Sequence, residues 1–162
     1  MFLQNQGVFF TSPSGGVVKS INRGDKRKFL SIEIEISKNE KFKTFQIGNS
    51  LNEMKECLIN SGLWNAFRTR PFNRTPGVEN EPNAIFINCC DTNPLSVDPH
   101  ELILLNQPEF DEGINIISKL FSCDINLTYQ NDNFDISNTD INYFQFSGPH
   151  PSGLSSTHIS VS

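Results

Sequence analysis

The stretch "AIFINCCD" (Ala84–Asp91) decides the fold. It is an apolar run closed by an acid, the pattern of a strand buried on both faces, and such strands belong to parallel sheets covered by helices. Working outward from it, the period changes. A short helix is expected around Pro99–Leu105. A better-marked one runs over Pro108–Phe121, with proline at its start, acids in its first turn, and Phe110, Ile114, Ile117 and Phe121 on one stripe. "DINLTY" (Asp124–Tyr129) reads as the next strand, "NDNFDISNTD" (131–140) as a polar loop and "INYFQF" (Ile141–Phe146) as a further strand. Upstream, Ser50 and Glu53 have the spacing of a capping box. Leu51, Met54, Leu58 and Ile59 follow at helical spacing, and Gly62 ends the helix. Strand, helix and strand alternate, so a parallel α/β sheet is the economical architecture.

Residues 7–36 read differently, as β. "GVFFT" and "VVKSI" are short strands separated by the turn chemistry of "SPSGG". In "LSIEIEI" (Leu30–Ile36), Leu30, Ile32, Ile34 and Ile36 alternate with Ser31, Glu33 and Glu35, which predicts one buried and one wet face. Arg23-Gly24-Asp25 is read as a hairpin turn whose glycine supplies positive φ, not as an adhesion motif. "SKNEKFK" (Ser37–Lys43) is the natural linker. Domains are therefore expected at 1–45 and 46–162.

Composition narrows the functional classes. The chain has 162 residues, a net charge of -5 and 14 phenylalanines. An acidic pI near 5.1 disfavours a general nucleic-acid binder. No apolar run reaches the length of a bilayer span. "MFLQNQGVFF" has neither a basic n-region nor a sustained apolar h-region, so a soluble cytosolic chain is expected. The four cysteines, Cys57, Cys89, Cys90 and Cys123, match no zinc, haem or thioredoxin spacing and are expected as reduced, buried thiols. The sequons at Asn73 and Asn126 are taken as chance matches.

Three loops carry chemistry. "SGLWNAFRTRPFNRTPG" (Ser61–Gly77) holds the single tryptophan, Trp64, with Phe67, Arg68, Arg70 and Arg74. It is either a cradle for an anion or cofactor, with guanidinium forks and stacking rings, or a core segment whose arginines reach out to solvent. No glycine stands between Leu63 and Pro76, so backbone N–H groups cannot form a glycine cradle for phosphate. "DTNPLSVDPH" (Asp91–His100) and "GPHPSGLSSTHI" (Gly148–Ile159) fall at the expected carboxyl ends of strands, where open α/β sheets hold ligands. His150 and His158 would ligate a metal only with a third group such as Asp91 or His100, if these two loops meet. Otherwise they hold the loop by backbone hydrogen bonds. No Ser-His-Asp order or nucleophile elbow is present.

Together these loops carry a resemblance. "SGLWNAFRTRPF", "CDTNPLSVDP" and "SGPHPSGLSSTHI", in this order, with "GVFFTSPSGGVVKSINRGDKR" (Gly7–Arg27) upstream, resemble the A subunit of the Na+-translocating NADH:quinone reductase. Ser156 stands where that family commonly has glycine, and "NCC" replaces a small, apolar run before Asp91. The family protein is much longer, so the chain is expected to be an internal fragment or a truncated reading frame.

The resemblance implies a β-rich barrel-sandwich segment of the biotinyl/lipoyl type, without an attachment lysine. It implies a following Rossmann-like α/β domain similar to the flavin domain of respiratory complex I and the Rnf complex, but without their glycine-rich flavin loop. It further implies a peripheral protein on the cytoplasmic side of the bacterial inner membrane, docked on membrane subunits, with no cofactor bound in this chain. NADH and flavins are used by the whole complex, and ubiquinone is the implied ligand. Carried over by motif, the ligand-binding candidates are Trp64, Phe67, Arg68, Arg70, Asp91, Asn93, His150 and His158; no catalytic or metal-binding residue is implied. The alternatives are a stand-alone carrier module and a flavin-dependent electron-transfer subunit. A barrel sandwich missing strands would leave unpaired edges, so self-association, or disorder before about Ser50, is expected.

Overall fold

The computed structural model describes residues 2–3, 7–38, 42–130 and 140–161. The middle of the expected linker and nearly all of the polar loop after Gln130 lie outside the described residues. The chain divides into two compact units, Met1–Glu79 and Asn80–Ser162.

In the first unit, β1 (Phe2–Leu3) pairs antiparallel with β2 (Phe9–Phe10), and β3 (Gly16–Arg23) pairs antiparallel with β4 (Phe29–Ile36). The turn between β3 and β4 departs from expectation. Gly24 has φ of -95°, and the left-handed positions are Lys26 and Arg27, at 53° and 60°. The Gly24 N–H donates to the Lys28 carbonyl at 2.8 Å, so the chain reverses beyond the glycine rather than at it.

The expected dry face of β4 also needs correction. Ile32 and Ile34 are half-buried, while Leu30 and Ile36 are 59% and 63% exposed. Among the described residues each strand of this sheet has a single partner, and such a hairpin covers side chains chiefly by its own cross-strand pairs, such as Val18 with Ile34.

Helix α1 (Leu51–Ser61) begins with the expected capping box. The Ser50 hydroxyl accepts from the Glu53 N–H at 3.3 Å, and the Glu53 carboxylate accepts from the Ser50 N–H at 3.1 Å. That backbone hydrogen bond holds the Glu53 carboxyl below the ordinary range. Gly62, with φ of 83°, ends the helix in the left-handed conformation that glycine adopts without a Cβ penalty.

The second unit is α/β. Its elements are β5 (Ala84–Cys89), α2 (Pro99–Leu105), α3 (Gln107–Leu120), β6 (Asp124–Tyr129), β7 (Asn142–Gln145) and α4 (Ser155–Val161). The sheet order is β5-β6-β7 and both pairings are parallel, with Ile87 opposite Leu127 and Leu127 opposite Tyr143. β6, not β5, is the strand buried on both faces. Its Ile125, Asn126, Leu127 and Thr128 are all buried, whereas β5 lies at the sheet edge and is mostly half-exposed. The apolar run at 84–89 is thus a strand whose position in the sheet limits its burial.

The core gathers Cys89, Ile114, Ile125, Leu127 and Ile141, with Phe110 and Ile117 of α3 packed against it. Phe110, Ile114 and Ile117 are three of the four residues of the expected stripe; the fourth, Phe121, lies past the helix end as its C-cap in an extended conformation. Residues 155–159, expected as the end of a loop, form with 160–161 the helix α4.

Candidate functional site

The loops after β5 and β7 meet at the carboxyl end of the sheet, through chemistry that each carries locally. Asp91 organises the first. Its Oδ1 accepts from the Asn93 N–H at 2.9 Å and from Asn93 Nδ2 at 2.7 Å, and its Oδ2 accepts from the Ser96 hydroxyl at 2.5 Å. The Ser96 hydroxyl, then the Asn93 N–H, hold the carboxyl below its usual range, so it is ionised at neutral pH. The Ser96 N–H donates to the Asn93 carbonyl at 3.2 Å, closing a turn in which Leu95, with φ of 64°, occupies a conformation that bulky residues rarely adopt. Asp98 caps α2 by accepting from the His100 N–H at 2.9 Å, with Pro99 in the first turn.

Thr92 ties the two loops together. Its hydroxyl oxygen accepts from the Gly153 N–H at 3.1 Å and lies 3.2 Å from His150 Nδ1. A Cβ on Gly153 would stand 2.7 Å from the Thr92 nitrogen, so the approach needs glycine. Asn88 adds a second tie. Its Nδ2 donates to the Gly153 carbonyl at 3.0 Å and to the Ser155 hydroxyl at 3.1 Å, and its Oδ1 accepts from the Cys90 N–H at 2.9 Å.

His158 locks α4 to β6 from within. It is fully buried; Nε2 lies 2.6 Å from the Ser152 carbonyl and Nδ1 lies 2.9 Å from the Thr128 hydroxyl. A carbonyl can only accept, so the proton sits on Nε2 and Thr128 donates to Nδ1. The Phe146 ring packs against the imidazole at 4.1 Å between centroids. Both ring nitrogens are thereby committed, and His150 and His158 face different partners. Among the described residues no group of three or more His, Cys, Asp or Glu is arranged to hold a metal ion.

Cys89 and Cys90 lie beneath this site. Burial pushes the Cys89 thiol up to about 12, with Cys90 adding to it, and the Cys90 thiol up to about 11. Both are thiols at neutral pH and poor nucleophiles. All four cysteines are free, with Cys57 and Cys123 only part-buried.

The aromatic and basic loop belongs to the first unit. Trp64 sits on a 3-10 turn, Leu63–Ala66, and is 1% exposed. Its Nε1–H donates to the Pro76 carbonyl at 3.1 Å, and its ring meets Phe67 edge-on at 5.3 Å. Asn65 Nδ2 donates to the Phe9 carbonyl at 2.6 Å, joining the loop to β2. Arg68 turns back on the loop, donating to the Asn65 and Phe67 carbonyls and to the Thr75 hydroxyl. Arg70 is exposed.

Asp91, Asn93, His150 and His158 are legible in the sequence as site candidates, whereas Asn88, Thr92, Thr128 and Gly153 are not. None of these four has a motif of its own; only the pairing of β5 with β6 and the meeting of the loops give them work. The composition of "SGLSS" hints at a close approach without saying to what.

A β-hairpin unit followed by a parallel α/β unit with interlocked carboxyl-end loops defines a two-part α/β class. Comparison with known proteins sharpens this. The model of the NqrA second alpha/beta domain matches residues 49–162, and that of the NqrA N-terminal barrel-sandwich hybrid domain matches residues 3–37. The chain belongs to the NqrA family. Compactness groups residues up to Glu79 with the hairpins, whereas the family description takes 49–162 as one domain.

The chain is 38% identical over 169 residues to the A subunit of the Na(+)-translocating NADH-quinone reductase of Glaesserella parasuis, and 40% identical over 166 residues to that of Haemophilus influenzae strain PittGG. It is 39% identical over 164 residues to that of Photorhabdus laumondii. In each case the match covers 96% of this chain and 37% of the relative's length.

Proposed function

We propose that this chain serves as part of the A subunit of a Na+-translocating NADH–quinone reductase, a portion without a redox centre of its own that supplies assembly surface and part of a quinone site. The observation that carries the reading is the match of both family domains, in order, along one chain. The domain division at 45/46 and a Rossmann-like origin for the second part belong to the same reading. So do a peripheral position on the cytoplasmic face and contacts to membrane subunits. No helix among the described residues is long and apolar enough to cross a membrane.

For the quinone, exposed Arg70 would serve as donor to a carbonyl only where a neighbouring subunit completes the pocket, and half-buried Phe67 is a ring of the same loop. Trp64 and Arg68 act by fixing the loop. Asp91 and Asn93, with His150, form the second candidate group on the α/β unit, and His158, fully buried, acts by fixing the adjoining loop. NADH and flavins are the business of the other subunits.

Two measurements test the reading. Co-expression of the full chain with the membrane subunits of such a reductase should give co-purification; a chain that never associates with them contradicts the assembly role. Titration with a water-soluble quinone should alter Trp64 fluorescence, since this is the chain's one tryptophan. An unchanged spectrum at saturation removes the quinone role of this loop. A flavin absorbance band in the purified chain would favour the flavin-dependent alternative.

A further inference from the structure

The base of the aromatic and basic loop is occupied with itself, but its tip is not. Residues 69 and 74 close the tip: the Thr69 N–H donates to the Arg74 carbonyl at 2.7 Å, and the Thr69 hydroxyl reaches the same oxygen at 3.0 Å. Between them, residues 70–74 form an unbroken exposed run. Phe72 is 75% exposed, and the Arg74 guanidinium lies over its ring at 5.7 Å. Below, buried Trp64 and the bonds of Arg68 hold the segment in place. The result is a braced projection that carries one ring and two guanidiniums, on a chain whose net charge is -5.

A projection does not enclose a small molecule, because small-ligand sites are concave and bury most of their ligand. It suits a broad surface. We infer that the 69–74 tip is a contact point for an anionic lipid surface, with Arg70 and Arg74 on headgroup phosphates and Phe72 among the glycerol and upper acyl groups. Guanidinium pairs bidentately with phosphate, and an apolar ring flanked by cations fits the boundary between headgroup and hydrocarbon. The local sign of the tip is complementary to the surface while the chain's overall sign opposes it; the exposed cations of the β3–β4 turn, Arg23, Lys26, Arg27 and Lys28, are the comparison cluster. The choice of lipid over an acidic protein rests on the reading above, since the relatives are named for a sodium-translocating enzyme.

The test is flotation of the full chain at low salt with vesicles of phosphatidylglycerol and phosphatidylcholine, against vesicles of phosphatidylcholine alone. Binding should require phosphatidylglycerol. The Arg70→Gln/Arg74→Gln double variant should bind about thirtyfold more weakly, roughly fivefold for each guanidinium, and Phe72→Ser should also weaken binding. Lys26→Gln/Arg27→Gln, an equal charge change at the β3–β4 turn, should leave binding near that of the parent. Near-ultraviolet dichroism of Trp64 checks that each variant is folded. Equal losses in the two double variants, equal binding to both vesicle types, or no vesicle binding alongside capture of soluble polyglutamate by Arg70 and Arg74 would each overturn the proposal. If vesicle binding fails while co-purification with membrane subunits persists, the lipid contact falls and the reading as part of the reductase stands.

Discussion

The β3–β4 hairpin and the β5-β6-β7 sheet make an instructive pair, because their sequences promise the reverse of what their positions deliver. β4 alternates isoleucine with glutamate and should hide one face, yet Leu30 and Ile36 stand 59% and 63% exposed. β6 alternates isoleucine and leucine with asparagine and threonine and should wet one face, yet Leu127 and Thr128 are both at 0%. Alternation says which side chains share a face. How many layers cover that face depends on where the strand lies in its sheet, and β6 has a parallel partner on each side.

Buried polar groups then need partners, since an unmet one costs about 1–3 kcal/mol. Thr128 has His158, and Asn126 accepts from Asn142 Nδ2 at 3.0 Å.

Four substitutions would break or sharpen this contrast. The largest effect is expected at Leu127→Ala, which empties a fully buried site and should cost about 2–5 kcal/mol in denaturant unfolding. Next comes Thr128→Val. It keeps the shape but leaves His158 Nδ1 without its donor, at about 1–3 kcal/mol; thermal unfolding should show the loss, with α4 loosened first. Ser50→Ala removes half of the capping box of α1 and should cost about 1 kcal/mol, read as a lowered unfolding midpoint at unchanged cooperativity. The smallest effect is expected at Leu30→Ser on the hairpin, within about 0.5 kcal/mol as for other exposed positions. A Leu30→Ser loss as large as that of Leu127→Ala would mean that the hairpin face is covered in solution.

Local signals are legible where they act locally. Ser50, Glu53 and Gly62 are a cap, a box and a stop within one helix, and the structure has all three. Phe110, Ile114 and Ile117 mark a helical stripe and pack on the core. The order of elements around Ala84–Cys89 is readable for the same reason, because strand and helix periods differ. What is not legible depends on tertiary placement. The burial of β6 over β5 follows from sheet order, and the turn at Lys26 and Arg27 follows from a reversal, closed between Gly24 and Lys28, that no dipeptide announces. The work of Thr92 and Gly153 arises only once loops distant in sequence are side by side. For the candidate site, sequence names the charged and imidazole-bearing residues; the hydroxyl, amide and glycine that position them have no signature.

Hydrogen exchange across the full chain tests the contrast between the two regions most directly, because protection follows buried contacts and covered backbone hydrogen bonds. Amides of 124–129 should exchange slowest, near the limit set by global unfolding, and those of 29–36 orders of magnitude faster. Equal, strong protection of both strands in a monodisperse monomer would contradict the account.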